Sequence, residues 1–285
     1  MCQVLGISTS GYYAWRTRLP SERSKQNGQL LGMIREIHAD SRHIYGAPRI
    51  HAELVLGQGL RCSRNRVARL MRIAGLAGIH RRRVHGCTRR DESKQPQPDL
   101  VQRQFAQSRP NQLWVADLTQ HTTGEGWLYL ATVLDAYSRK VVGWAMDARA
   151  KTDLVLRAVN MAVWQRRPTQ GLIHHSDHGS QYTAVTFTNR LEQAGILGSM
   201  GTVGDALDNA MAESFFASLQ TELFDRGRWP TRRSLGTAIF SYIETFYNRK
   251  RRHSALGYRS PDEYERLTAN SDPQDKIGEL GAVAT

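Results

Sequence analysis

The sequence predicts an α/β protein: a mixed five-stranded sheet flanked by helices, preceded by a small all-α, helix-turn-helix-like region. Three observations lead there. Residues 1–85 carry short helical periodicities, and from residue 109 the rhythm becomes that of strands. Three strand-like segments then follow one another with only short turns between them. After them, strand-like and helical segments alternate, which implies parallel additions to one sheet.

In the front region, Leu30, Ile34 and Ile37 recur at helical spacing. Pro48 suits a first helical position, with Ile50 and Leu54 one turn apart behind it. Ser63 is placed to cap a helix over Arg64 to Ala74, and Gly75 to end it. Val67, Leu70, Met71 and Ala74 make that helix's apolar face, while Asn65, Arg66, Arg69 and Arg72 fall largely elsewhere around it. Residues 86–108 are basic and contain Pro96 and Pro98, and are expected to be a linker.

The strands expected next are Leu113 to Thr119, Trp127 to Leu134 and Val141 to Met146, an antiparallel meander. Gly124-Glu125-Gly126 and Tyr137 to Arg139 supply the turns. A helix is expected over Asp153 to Trp164, a short strand over Leu172 to His175, a helix over Thr183 to Ala194 and a fifth strand over Ile196 to Met200. Helices should follow over Ala206 to Phe224 and Leu235 to Tyr247. The core is expected to span 109–267, and residues 268–285 to be a disordered tail.

The net charge of +13 points to a polyanionic partner. Its distribution sharpens that: the first 100 residues hold 18 of the 39 basic but only 7 of the 26 acidic residues. Cys2, Cys62 and Cys87 form no CxxC pair, which argues against a disulfide framework or zinc finger. No apolar run reaches the ~18 residues of a membrane span. No secretory leader is evident, and a cytoplasmic, nucleoid-associated protein is expected.

Three acids stand where acids are costly. Asp117 is mid-strand, Asp177 ends a short strand candidate, and Glu213 lies beside an apolar helical stripe. Ligands collect at the carboxyl ends of parallel strands. Three carboxylates converging there could hold hard divalent cations, and two such ions about 3.5–4 Å apart suit in-line phosphoryl displacement. Singly, each acid has an ordinary explanation: an ion pair, a turn cap, a helix edge. Asp135 is a fourth acid, expected to shape the turn at Tyr137-Ser138-Arg139.

The motifs then run in a recognisable order. They include Tyr45-Gly46-Ala47-Pro48-Arg49-Ile50, Val67-Ala68-Arg69-Leu70-Met71, and Asn111-Gln112-Leu113-Trp114-Val115-Ala116-Asp117-Leu118-Thr119. Tyr129 to Asp135, His174-His175-Ser176-Asp177-His178-Gly179-Ser180-Gln181-Tyr182 and Asp208-Asn209-Ala210-Met211-Ala212-Glu213-Ser214-Phe215-Phe216 follow. Tyr247-Asn248-Arg249 and Arg252 to Tyr258 close the series. In these motifs the chain resembles bacterial insertion-sequence transposases of the DDE superfamily, specifically the second of two overlapping reading frames (OrfB). The 35 residues between Asp177 and Glu213 match that family's spacing.

The resemblance implies an RNase H-like, integrase-type core in which Asp117, Asp177 and Glu213 are catalytic and bind two Mg²⁺ ions, with Mn²⁺ able to substitute. It implies cleavage at the element's ends and transfer of the freed 3′-hydroxyl into DNA. The partners implied are double-stranded DNA (terminal inverted repeats and target), a second copy in at least a dimer, and an upstream-frame product fused to or working with this chain. DNA contact is expected from Arg49, Arg64, Arg66, Arg69, Arg72, Arg81, Arg82 and Arg83, from Asn209 near the active site, and from Lys250, Arg251 and Arg252. His174, His175 and His178 are expected to face substrate or neighbouring acids rather than zinc. Gln220 stands where the family usually has Lys, two helical turns after Glu213 and on the same face. A weak or inactive copy, acting only as a DNA-binding regulator of transposition, is the alternative reading.

Overall fold

The computed structural model describes residues 2, 4–79, 107–177, 181–200 and 210–269. The chain divides into two compact units, Met1–Ile79 and His80–Thr285. The expected linker at 86–108 and tail at 268–285 lie almost wholly outside the described residues.

The first unit is helical: α1 (Thr9–Thr17), α2 (Glu22–Asp40), α3 (Ala47–Ala52) and α4 (Arg64–Ile73). Leu30, Ile34 and Ile37 are buried along α2, and Val67, Leu70 and Met71 along α4, so the two apolar stripes share one core. Gly46 precedes α3, with Pro48 in its first turn. A π-helical turn, Glu53–Gly57, continues it. Ser63 Oγ accepts from the Arg66 N–H, and Gly75 at φ +67° carries the chain out of α4. Only glycine adopts that φ freely, so the capping residues fix where α4 begins and ends. Ser63→Ala is expected to cost about 1 kcal/mol of this unit's stability, measurable by thermal melting.

The second unit is built on five strands: β1 (Leu113–Thr123), β2 (Gly126–Asp135), β3 (Val141–Asp147), β4 (Ile173–Ser176) and β5 (Leu197–Met200). Their order is β3-β2-β1-β4-β5. The first three pair antiparallel, and β4 and β5 add in parallel. That mixed order, with helices on both faces, is the RNase H-like fold. Helices α5 (Thr152–Arg166) and α6 (Val185–Gln193) pack with the face that carries Trp114, Ala116, Ala131 and Val133. A side chain at Gly143 would run into the α5 backbone at Ala158, so glycine there lets α5 lie close on β3.

The opposite face carries Leu113 and Val115 and meets Ala212 of α7 (Ala210–Glu222). Beyond it come α8 (Arg232–Phe240), a π-helical stretch Ser241–Tyr247, and α9 (Pro261–Ala269). The expected helix over 206–224 is thus described as Ala210–Glu222. Its proposed start at 206–209 lies outside the described residues, and Phe224 belongs to a short 3₁₀ turn. The expected helix over 235–247 starts earlier and turns π-helical at Ser241. Among the described residues, no helix is long and apolar enough to cross a membrane.

Candidate active site

β1 runs past the end of its short neighbour β4. The last paired residues are Ala116 and Ser176, so one further step brings Asp117 beside Asp177. Adjacent strands lie about 4.8 Å apart, which makes the two carboxylates neighbours by construction. Period-two alternation puts Asp117 on the Leu113/Val115 face, the face that packs on α7. Glu213, in the first turn of α7, therefore approaches from the side. Asp177 and Glu213 are exposed, while Asp117 is partly buried.

The electrostatics reflect this arrangement. Burial pushes the Asp117 carboxyl up to about 7, and the charges of Asp177 and Glu213 push it in the same direction. Only the Leu118 N–H, 2.7 Å from Asp117 Oδ1, acts against them. A cation bound among the acids would offset the burial and both neighbouring charges at once. All the donors are carboxylate oxygens, so the set fits a hard divalent ion. Among the described residues, no group of three or more His, Cys, Asp or Glu side chains stands ready-closed in ligand geometry. The acids are electrostatic neighbours that a cation would still have to draw together.

The fourth acid has another task. Asp135 is fully buried at the end of β2; its Oδ1 accepts from the Tyr137 N–H (2.9 Å) and its Oδ2 from the Asn111 N–H (2.8 Å). Arg166, held by Glu265, stands 3.5 Å away. Asp135 shapes the turn as expected.

Two groups of residues are placed differently from expectation. His174 is buried against Phe187 and Tyr182, and burial lowers its pKa to about 4, so it is a neutral core side chain. His175 is buried too, with Nδ1 3.0 Å from Ser199 Oγ. His174, in register with Trp114, lies on the sheet face away from the acids, whereas His175, in register with Val115, is buried on the acids' side. His178 lies outside the described residues.

Arg251 and Arg252 are also not free for phosphate. Each is only 5–6 % exposed. Arg251 grips Glu222 at the end of α7 through Nε (2.7 Å) and Nη2 (2.6 Å). Arg252 pairs with Glu263 at 2.6 Å. A basic run reads as surface in a sequence, and here carboxylates distant in the chain have drawn two of its members inside. Lys250 remains exposed.

Of the other expected DNA contacts, Arg64, Arg69 and Arg72 are exposed along α4. Arg66 is half-buried, its Nε bonded to Asn27 (2.9 Å), and Arg49 lies over the Tyr45 ring. Arg81, Arg82, Arg83 and Asn209 lie outside the described residues. Gln220 is half-buried on α7, and its Nε2 donates to Asp225 at 2.5 Å.

Two contributors were not legible beforehand. The Glu222–Arg251 pair fixes the far end of the helix that carries Glu213, and Tyr242 Oη adds a 2.8 Å bond to the same carboxylate. Asn248 bridges β3 through both the N–H and the carbonyl of Val141, each at 2.9 Å.

Comparison with known proteins gives matching family descriptions in chain order. An HTH-like domain matches residues 25–84, and an integrase core domain matches residues 107–206, with a second integrase core description over 194–261. The transposase for insertion sequence element IS629 of Shigella sonnei is 36% identical, covering 97% of this chain and 94% of that protein. The transposase InsF for insertion sequence IS3A of Escherichia coli (strain K12) is 37% identical, covering 93% and 92%. An insertion element IS600 uncharacterized 31 kDa protein of Shigella sonnei is 41% identical over 94% of this chain and all of that protein. Among solved structures, a simian T-cell lymphotropic virus intasome chain aligns with a TM-score of 0.48 at 12% identity, over 84% of this chain and 75% of that one.

Proposed function

The chain belongs to the insertion-sequence transposases, and from that premise we propose that Asp117, Asp177 and Glu213 are its catalytic, divalent-metal-binding carboxylates. The supporting observation is the β1/β4 register, which sets Asp117 beside Asp177 while α7 brings Glu213 to the same face. Divalent cations bound there would supply Lewis-acid activation and charge stabilisation for in-line phosphoryl displacement. The reaction is cleavage at the element's ends, then attack of the freed 3′-hydroxyl on a second phosphodiester. Two Mg²⁺ ions, replaceable by Mn²⁺, satisfy the donor set. The protein's part is to hold the three acids on rigid elements and keep Asp117 largely shielded from bulk water, where charge interactions are strong.

The domain plan follows the same reading: residues 1–85 bind DNA, 86–108 link, 109–267 form the core and 268–285 form a tail. Exposed Arg64, Arg69 and Arg72 grip terminal repeats, with Arg49, Arg66 and Arg81–Arg83 supporting them. Lys250 and Asn209 meet DNA nearer the acids. At least two copies hold the two ends together, and an upstream-frame product works with the chain. The basic front region supports the DNA partner. Curated relatives named as transposases, matched along nearly their whole length, favour an enzyme over a regulator.

The direct test uses a labelled fragment bearing the element's own terminal repeat. Joined product should form with Mg²⁺ and vanish with chelator. Joining that persists in chelator would overturn the proposal. Gln220 belongs to the DNA-facing side of α7, and its bond to exposed Asp225 is a weak surface contact. Gln220→Lys should tighten end binding and steepen its log–log salt slope by about one unit. An unchanged slope would remove this position from the DNA-binding surface.

A further inference from the structure

Residues 226–233, which lead from α7 into α8, hold four arginines and no acid: Arg226, Arg228, Arg232 and Arg233. This segment is pinned to the tip of the β1–β2 hairpin. Trp229 Nε1 donates to the Phe224 carbonyl (3.1 Å), and the Gly124 N–H donates to the Trp229 carbonyl (2.9 Å). The Arg232 N–H donates to Glu125, and its Nε to the Trp127 carbonyl, each at 2.9 Å. The Trp229 ring lies so close to Gly227 that a Cβ there would stand 2.4 Å from it. Arg226 and Arg228 are thus exposed side chains on a fixed backbone. Arg232 and Arg233 open α8, whose first turn holds no acid. A helix N-terminus disfavours cations, so packing alone gives no reason to gather guanidinium groups there. A polyanion does.

The loop continues the face that carries the acids. His121 shares the Asp117 face of β1 and stacks at 4.4 Å on Phe224, which leads into the loop. On α7, Glu213 and Gln220 are seven residues apart on one face, and Gln220 donates to Asp225 beside Arg226. The four-residue step from Asp117 to His121 spans about 13 Å. We propose that the loop carrying Arg226 and Arg228 is a phosphate-backbone contact for duplex DNA that extends from the carboxylates along α7. It meets the duplex about four base pairs from the reacting phosphate. The inference rests on the reading of Asp117, Asp177 and Glu213 as the reacting centre. Two guanidinium groups on a pinned loop bind backbone and read no sequence, so the duplex is either an element end or target DNA.

The test measures affinity against salt for the full chain in chelator, on two duplexes of equal length, one ending in the element's terminal repeat and one lacking it. Without divalent cation, binding reports on the loop whether or not the carboxylates prove catalytic, and the joining assay tests those separately. The double variant Arg226→Gln/Arg228→Gln should flatten the log–log salt slope by about two units. Flattening confined to the repeat-bearing duplex assigns the loop to the element end; flattening on the other duplex assigns it to target DNA. Arg226→Lys/Arg228→Lys should keep the wild-type slope, because a point charge suffices for a phosphate. Arg266→Gln serves as the control: it is exposed on α9 beside the Tyr137 turn, at the opposite end of β2 from the hairpin tip. It should leave the slope unchanged. A slope unmoved by the double Gln variant on both duplexes would overturn the proposal. So would an equal flattening per charge from Arg266→Gln, which would be a net-charge effect, or a slope lost in the Lys pair, which would be a structural one.

Discussion

Asp117→Asn should melt at a higher temperature than wild type in metal-free buffer at pH 8. The Asp117 carboxyl is held near 7 in the folded protein against an ordinary 3.8, mainly by burial and then by Asp177. In the unfolded chain it ionises freely. Between those two values the folded state binds more protons, so stability falls as pH rises. The contribution is fully present below about pH 4 and is lost by the time pH passes about 7. Above that, the folded protein carries an ionised acid that its surroundings disfavour, by an amount on the order of 2 kcal/mol once partial solvent access is allowed for. Asn removes the charge and keeps an oxygen for the Leu118 N–H. The variant's advantage should therefore be absent near pH 4 and greatest at pH 8 in melts recorded across that range. Divalent cation should reverse the order by stabilising wild type alone. An Asn variant no more stable than wild type at pH 8 without metal would contradict the electrostatic account of the site.

The second large effect lies at the other end of α7. Glu222 is buried and accepts from Arg251 twice and from Tyr242 once, and Arg251 Nη2 also donates to Ser218 at 3.1 Å. Removing one partner strands the other as an uncompensated charge in the interior. Glu222→Ala or Arg251→Ala should each cost about 3–5 kcal/mol in urea unfolding. The double variant should cost clearly less than the two single losses together, because neither charge is then stranded. Fully additive losses would mean that the pair is not an interacting unit. The consequence reaches the acids, because this clamp and Ala212 hold the helix on which Glu213 rides.

Much of this was legible in the sequence for identifiable reasons. Period-two runs such as Leu113 to Thr119 and punctuation at Gly124-Glu125-Gly126 gave the meander. A change to alternating strands and helices gave the parallel additions. Asp117 drew attention because an acid inside an apolar strand is costly without a cation or partner. What could not be read depends on pairings across the chain. Arg251 and Arg252 look like surface in a basic run until Glu222 and Glu263, 29 and 11 residues away, are seen to bury them. His174 looks like a substrate contact beside Asp177 until the sheet turns it to the opposite face, against Phe187. The π-helical stretch at Ser241–Tyr247 continues α8 with a wider turn, a change in hydrogen bonding that the apolar pattern does not mark.

The most direct test of the central claim is Mg²⁺-dependent strand transfer by Asp117→Asn, Asp177→Asn and Glu213→Gln, each first verified as folded and able to bind element-end DNA. Losing several kcal/mol of charge stabilisation should lower joining by about 10³-fold or more in each. Any one of the three joining ends within tenfold of the wild-type rate would contradict the assignment of that carboxylate, and with it the three-acid site.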